Sequence, residues 1–380
     1  MRHYSAKSIK GAHMHIIVLT SAGSASGGAR QAMYLASGLR DRRHTVHFVC
    51  PPKAEITKTA LSMQLNVSAL PQDLVTTQRH LRTLMPKNEP CIVHGFHNKG
   101  VKTVAYLGSL WRMVGLPVVC FANRGVTARP HNPLPYLLPG IRGFLVNSRA
   151  CGDQLPLLWR KKRCHLVSNG IPAERLTPAK SADVMRRELS IPADHMVIGN
   201  ICNNNPLKGA PAMLKAFARA RASLSPATLV IVGVKPESWM PLCAELGITE
   251  QVRLVPPANN VANYLQIMTL LAFPSSFIES QPNVIMEGMS MGLPVIGSDI
   301  GGIRELLPEE CLFDPSDTQS FSAKIVELAC NPEARQRLAE DNLAQRPRFS
   351  METRLDTVTE LYAAAFKELQ FTGSCKTVPV

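Results

Sequence analysis

Short runs of β-branched and aliphatic residues alternate along this chain with stretches whose apolar positions recur every three or four residues. A run of about four to eight apolar residues suits a strand buried on both faces, and the longer period suits a helix laid against it. In the first half the pattern predicts strands at HIIVLT (15–20), TVHFVC (45–50), CIVHGF (91–96), LPVVCFA (116–122), GFLVNS (143–148) and CHLVSNGI (164–171). Helices are predicted at Gly28 to Arg42, at Val101 to Val114 and, briefly, over ACGDQLPLLW (150–159).

The run SNGIPAERLTPAK (168–180) carries a glycine, two prolines and no helical period, and reads as a linker. The alternation then restarts. Strands are predicted at HMVIGNI (195–201), ATLVIVG (227–233), QVRLVP (251–256), LLAFPS (270–275) and LPVIGS (293–298). Helices are predicted at Ala210 to Ala222, Trp239 to Leu246 and Asn283 to Met291, with three more closing the chain at 318–330, 332–344 and 350–369. Such alternation is the mark of α/β units on parallel sheets. It implies two doubly wound, Rossmann-like domains in series, facing one another across a cleft. Ligands bind such sheets beyond the carboxyl ends of the strands, so the loops to inspect follow Thr20, Ala122, Asn200, Ser275 and Gly297.

Length agrees with two domains, since 380 residues exceed one ordinary core. The longest apolar run, YLQIMTLLAF, is closed by Pro274 and falls short of the roughly 18 residues of a membrane span. The amino-terminal MRHYSAKSIKGAHMHIIVLT runs from basic residues straight into the first strand, with too short an apolar region for a signal peptide. Met14 is an alternative start, which would leave residues 1–13 as a loose extension. Ten widely spaced cysteines with no C-x-x-C suggest reduced core thiols in a cytoplasmic protein, with no metal site or disulfide frame. A net charge of +14 favours anionic partners, either phosphorylated molecules or an anionic membrane face. Aromatic residues make up 6% and none interleave with the basic clusters at 159–163 (WRKKR) and 185–188 (MRRE), which argues against a nucleic-acid partner.

Three loops carry candidate chemistry. After the first strand, SAGSASGGARQAM offers Gly23, Gly27 and Gly28 for close backbone approach to a ligand, but it does not spell G-x-G-x-x-G. A nicotinamide site is thereby disfavoured. After MVIGNI, the loop CNNNPLKGAPAML puts Lys208 beside a helix start, where a cation opposes the helix dipole unless an anion such as a phosphate lies between them. The third is FPSSFIESQPNVIMEGMSMGLPVIGSD (273–299). Here a strand leaves the core, FIESQ forms the loop, Pro282 sits as at the first position of a helix, and Gly292 ends that helix. Glu279 in the loop and Glu287 in the helix would repel a phosphate unless they hold something else on the same ligand. Sugar hydroxyls fit, because a carboxylate accepts two hydroxyl hydrogen bonds well.

With these motifs the sequence resembles GT-B-fold glycosyltransferases, most closely the large retaining family 4. The resemblance covers about residues 14–365 and is strongest in ESQPNVIMEGMSMGLPVIGSDIGGIREL, which is similar to the E-x7-E signature with its G-x-P-V and D-x-G-G elements. GGARQAMYLASGLRDRRHTVHFV is similar to the amino-terminal glycine loop and first helix. The resemblance implies an acceptor domain at 14–170, a nucleotide-sugar domain at 171–349 and a final helix at 350–369 that returns to the first domain. It implies that Glu287 holds ribose hydroxyls, Glu279 meets the donor sugar near its reacting carbon, and Lys208 neutralises the diphosphate. Backbone groups of Pro282, Asn283 and Val284, and of Gly301 and Gly302, would face the donor, with Gly27 and Gly28 opposite.

Two departures stand out. Where the family often pairs an arginine with the lysine, this chain has Gly199-Asn200, and where many members have a histidine after the PVV strand it has Asn123. Arg124 is then the candidate for a second phosphate contact, and Asn200 is placed among the donor-binding residues. His94 and His97 resemble the family's H-x-H segment on the acceptor side, with a structural role equally open.

Cleaving a sugar–diphosphate bond leaves negative charge on the leaving group, which needs preorganised donors. Lys208, Arg124 and a helix N-terminus would supply them; no D-x-D cluster stands in a suitable loop, so no metal and no cofactor beyond the donor is expected. No nucleophile is placed as in retaining hydrolases, so the resemblance implies front-face attack assisted by the leaving phosphate. The acceptor is expected to be a glycan or lipid-linked sugar of the cell envelope or lipopolysaccharide, handled in the cytoplasm, with peripheral contact to the inner membrane face. A sugar-nucleotide epimerase of the same fold and a catalytically silent sugar-nucleotide binding protein are the alternatives.

Overall fold

The computed structural model describes residues 13–24, 26–87, 89–155, 163–224 and 226–374. The amino-terminal extension, the second half of ACGDQLPLLW, most of WRKKR and the end of the chain lie outside these. The described residues up to Gly170, together with those from Met351 on, form one compact unit, and Ile171–Ser350 form another.

In the first unit β1 (His15–Thr20), β2 (Thr45–Cys50), β3 (Asn66–Ala69), β4 (Cys91–Phe96), β5 (Val118–Arg124), β6 (Ile141–Val146) and β7 (Cys164–Leu166) make a parallel sheet in the order β3-β2-β1-β4-β5-β6-β7. Helices α1 (Gly27–Asp41) and α2 (Glu55–Ser62) cover one face. The other carries α3 (Leu74–Leu84), α4 (His97–Met113), α5 (Leu134–Leu137) and α6 (Arg149–Gly152). Both faces being covered explains why β1 and β4 read as continuous apolar runs.

The second unit repeats the plan with β8 (Met196–Ile201), β9 (Ala227–Val232), β10 (Val252–Val255), β11 (Leu270–Phe273), β12 (Val295–Ser298) and β13 (Leu312–Phe313), all parallel, in the order β10-β9-β8-β11-β12-β13. Its helices are α7 (Ala182–Glu188), α8 (Ala210–Ala220), α9 (Pro236–Glu245), α10 (Ala262–Leu265), α11 (Asn283–Ser290), α12 (Thr318–Ala329) and α13 (Pro332–Gln345). Polar caps start several of them: Asp317 accepts from the Gln319 N–H and Asn331 from the Ala334 N–H. The last helix, α14 (Met351–Ser374), lies in the first unit, where Leu355, Val358 and Tyr362 join the apolar layer against α1.

Each sheet reverses its winding once, between β1 and β4 and between β8 and β11, and these reversals open the ligand crevices of such folds. The chain passes between units at Gly170 and again at Met351. A Cβ on Gly170 would lie 2.4 Å from the Met351 sulfur and 3.1 Å from its Cα, so a larger residue there would make the Met351 side chain move aside. Gln31 of α1 grips the spot, donating to the Gly170 carbonyl at 2.9 Å and accepting its N–H at 3.1 Å, and the buried Arg354 donates to the same Gln31.

Several elements differ from the sequence pattern. The strand expected at 164–171 ends at Leu166, because β7 is an edge strand with a single neighbour; Ile171 instead bridges Ser350 on the returning chain. Strand β5 runs two residues further than expected and so includes Arg124. β3 and β13 are too short and too irregular in burial to leave a period. The described cysteines are unbridged and mostly buried, and Cys375 lies outside the described residues. Among the described residues no helix is long and apolar enough to cross a membrane.

Candidate functional site

In the second unit the chain leaves β8, makes a short turn over Pro206–Lys208 and enters α8 through Gly209 at φ 101°. A Cβ at Gly209 would lie 2.3 Å from the Pro274 carbonyl oxygen, so glycine is required both by the dihedral and by contact with the loop after β11. The Leu207 carbonyl then accepts from the N–H groups of Ser276 at 2.9 Å and Phe277 at 3.2 Å, stitching the two loops together. Their joining puts Lys208 Nζ 2.6 Å from Glu279 Oε1. The Ser275 hydroxyl donates to the same oxygen at 2.8 Å, and the Phe277 ring lies under the ammonium, 4.6 Å from its centroid.

Glu279 is held at its backbone as well, since its carbonyl accepts the Gly302 N–H at 3.1 Å. That N–H therefore positions Glu279, where the sequence suggested it would face a ligand. Gly301 opens the 3-10 turn Gly301–Glu305 with φ 46°. Pro282 has ψ 124°, outside the helical range, so it caps α11 instead of occupying its first position; Asn283 and Val284 form the first turn. Asn200 is fully buried in β8 with its amide donating to the Ala272 carbonyl of β11 at 2.9 Å. It extends the β8–β11 junction, where backbone pairing stops at Leu271 and Gly199.

Glu287 lies in the buried part of α11 and meets a cation that the sequence pattern did not single out. Arg175, from the segment after Gly170, places Nε 3.0 Å and Nη2 2.9 Å from Glu287 Oε1, and its Nη1 donates to the Asn259 carbonyl at 2.7 Å. Nothing in a linker with no helical period marks such a residue; the available signal was the buried acid, which needs a cation close by. The crevice of this unit thus holds two acid–base pairs, Lys208–Glu279 and Arg175–Glu287. A dianion arriving there would have to draw Lys208 from its carboxylate, and the carboxylate oxygens suit hydroxyl donors.

Among the described residues, the strand ends at the corresponding place in the first unit carry no such pairs. Gly27 and Gly28 begin α1, and His97 begins α4 at φ 63° with Nδ1 2.9 Å from the Thr20 hydroxyl at the end of β1. A Cβ on Gly28 would come within 3.1 Å of His97 Nε2, so this glycine makes room for the ring. Burial lowers the His97 pKa, keeping the imidazole neutral. Arg124 is buried: it donates to the Tyr136 hydroxyl at 2.8 Å and to the Ala128 carbonyl, packs over the Tyr136 ring, and so holds the loop after β5. Asn123 is half-buried beside it. His94 is a core residue, 2.6 Å from the Tyr362 hydroxyl, with its pKa pushed down to about 3 by burial and then by Arg354. The structure therefore brings Lys208, Glu279, Gly302 and the start of α11 together in one unit, and sets Gly27, Gly28 and Arg124 in the other.

Cys202 stands at the foot of the Lys208 loop, where burial pushes its thiol up to about 12 and favours the protonated form. One group of metal-ligand type occurs among the described residues, His13, His15 and Glu89, with ligand atoms within 4.8 Å of one another. It lies at the start of β1, the opposite end of the strands from the crevice, and two of its members are exposed.

Residues 194–331 match the family model described as glycosyl transferases group 1, and residues 25–175 match the glycosyltransferase family 4 model. Among curated proteins, D-inositol 3-phosphate glycosyltransferase of Saccharomonospora viridis is 28% identical over 248 residues, 60% of this chain and 57% of that one. Its counterpart in Corynebacterium urealyticum is 30% identical over 219 residues, 53% of this chain and 51% of that one. The chain spans about half the length of the curated relatives it matches. Among solved structures, Anabaena HepE in complex with UDP superposes with a TM-score of 0.79 at 17% identity, covering 92% of this chain and 100% of that one. A glycosyltransferase from Rickettsia africae has a TM-score of 0.79 at 15% identity, with 94% and 99% covered. At these identities the structures establish the fold, two Rossmann-like units of the GT-B kind.

Proposed function

From the premise that this chain is a GT-B-fold member of the family 4 type of glycosyltransferases, we propose that it transfers a sugar from a nucleoside-diphosphate sugar, with retention of configuration. The observation that carries the reading is the Lys208–Glu279 pair at the β8/β11 crevice, one loop before the helix that bears Glu287. Lys208 turns from Glu279 to the donor diphosphate and neutralises the charge that grows on it as the glycosidic bond breaks. Glu279, still oriented by Ser275 and the Gly302 N–H, accepts hydroxyl hydrogen bonds from the donor sugar. Glu287, held by Arg175, does the same for the ribose. Pro282, Asn283 and Val284 line the approach at the helix start, and the leaving phosphate takes the acceptor proton on the same face.

Solved neighbours hold UDP and UDP-glucose, so a uridine nucleotide is the first donor to try. The acceptor is a glycan or lipid-linked molecule, its hydroxyl met by the neutral crevice of the first unit around His97, in cell-envelope or lipopolysaccharide synthesis at a membrane face, a setting that the chain's +14 charge supports. The test is a donor screen: purified protein with each common nucleotide sugar, reading thermal stabilisation and slow release of nucleoside diphosphate, beside Glu287→Ala. Stabilisation and release with one donor, lost in the variant, is the expected result. Donor binding without release in the presence of any acceptor would favour a silent binding protein, and interconversion of the free nucleotide sugar would favour an epimerase.

A further inference from the structure

The amino-terminal end of the first sheet gathers polar side chains that neither crevice uses. Side chains along a strand alternate between faces, so His15, the first residue of β1, and His13 just before it share one face. His15 is in register with Cys91 of β4, and continuing that register two residues back sets Glu89 beside His13. The contacts follow this placement. His15 Nε2 lies 3.1 Å from Glu89 Oε2, and the His13 and His15 rings meet edge to face with centroids 5.0 Å apart. Thr45, level with His15 on β2, has its hydroxyl 2.9 Å from His13 Nε2. One ligand-type atom from each of His13, His15 and Glu89 falls within 4.8 Å of the other two.

An exposed ion pair alone would add little to stability, and it gives no account of the second imidazole beside it. Two imidazoles and a carboxylate are the donor set of a borderline divalent metal such as zinc, in the arrangement that keeps a fourth position for water. The spacing is close to what such an ion needs. Two ligand atoms on a tetrahedral zinc stand ~3.3 Å apart, and the His15–Glu89 contact is already 3.1 Å. The remaining ligand has to close by at most about 1.5 Å, which a turn of an exposed side chain covers. His13 is exposed and the Glu89 side chain is 65% exposed, so packing locks neither, while His15 at 25% is the anchor. Thr45 supplies the oxygen partner that a metal-bound imidazole commonly has on its other nitrogen.

We propose that His13, His15 and Glu89 bind a zinc-type divalent cation, which fastens the segment before β1 to the turn that leads into β4. The site goes beyond the transferase reading: it stands at the opposite end of β1 from the Thr20–His97 crevice and takes no part in sugar transfer. Its role is to hold the amino-terminal edge of the sheet, since an ion that binds only the folded chain stabilises it by mass action.

The experiment is a zinc titration of the untagged full chain, freed of metal by a chelator and read by calorimetry and by melting temperature. It compares the wild type, Glu89→Gln and His15→Gln with a control, His131→Gln, which alters an exposed histidine in the loop after β5. The wild type and the control are expected to bind one zinc per chain with micromolar affinity. Zinc at about 100 times Kd should raise their melting temperature by about 5 °C. Glu89→Gln and His15→Gln should each weaken binding about 100-fold and leave the metal-free melting temperature close to that of the wild type. Glu89→Gln keeps shape and exposure, so it decides the case even where His15→Gln disturbs β1. Cobalt in place of zinc should show nitrogen and oxygen ligands, without the sulfur-to-metal charge-transfer band of a thiolate site. Binding undiminished in both variants, a thiolate band, or no binding below about millimolar zinc would overturn the proposal. Equal weakening in His131→Gln would do the same, reducing the site to scattered surface histidines. Zinc binding without any donor response would instead sink the transferase reading and leave the metal site standing.

Discussion

The two sheets reverse their winding in the same way, yet the crevices at the two reversals are chemically unlike. Between β8 and β11 the strand ends carry Lys208 against Glu279, with Arg175 against Glu287 in the helix that follows. Between β1 and β4 they carry Thr20, a neutral His97 and glycines at the start of α1. The shared topology supplies a place and the side chains supply the ligand class. Paired charges suit a ligand that is anionic at one end and rich in hydroxyls at the other. A neutral donor and acceptor such as His97 suits an uncharged hydroxyl that must be oriented without being bound tightly.

The largest effect that would test this contrast is on turnover. Lys208→Ala should lower the rate of nucleoside diphosphate release by about 100- to 1,000-fold, the range seen when one preorganised donor to a developing anion is removed. A loss under tenfold would mean that the charged crevice is not where the leaving group sits. Next comes Arg175→Ala, which takes the guanidinium from the nearly buried Glu287 carboxylate and should cost about 3 kcal/mol in denaturant unfolding. Adding Glu287→Gln should restore part of that stability without restoring donor affinity; if it restores neither, the pair is not the unit of interaction.

A third expectation concerns pH and belongs to the neutral unit. His94 has its folded pKa depressed to about 3, while the unfolded chain protonates near the ordinary 6.5. Between those values the unfolded state binds the extra proton, so this contribution is complete above about pH 6.5 and is lost as pH falls. Going from pH 7 to pH 5 should cost about 2 kcal/mol through this one residue, and His94→Gln should flatten the pH dependence of the unfolding midpoint over that window. The smallest effect is expected at His97→Ala, which removes the Thr20 hydrogen bond at about 1 kcal/mol and should leave the donor-induced melting shift unchanged. A shift that disappears in this variant would show the two crevices to be coupled, and would blur the contrast.

Legibility in the sequence followed length and burial. Strands such as β1, β4, β8 and β9 lie under helices on both faces, so their apolar runs announced them. The edge strands β3 and β13, partly exposed or two residues long, left no period to read. Lys208, Glu279 and Glu287 were singled out from their offsets to the predicted strand ends and helix start, and the structure places all three in charge pairs. Arg175 was not, because it reaches Glu287 from more than a hundred residues away in sequence. Asn200 and Gly302 were assigned to a ligand from their positions, and the structure engages both with the protein itself, at the Ala272 and Glu279 carbonyls.

By itself the sequence determined two parallel α/β units and the loops that follow their strands, since local periodicity and turn residues act over neighbouring positions. Only the tertiary structure decided which charges meet. The pairing of Lys208 with Glu279 depends on Gly209 packing under Pro274, and that of Arg175 with Glu287 on where the chain re-enters the second unit after Gly170. Such contacts join residues with no local relation, so the energy of a buried ion pair, and with it the chemistry of the crevice, is set by three-dimensional packing that no local pattern encodes.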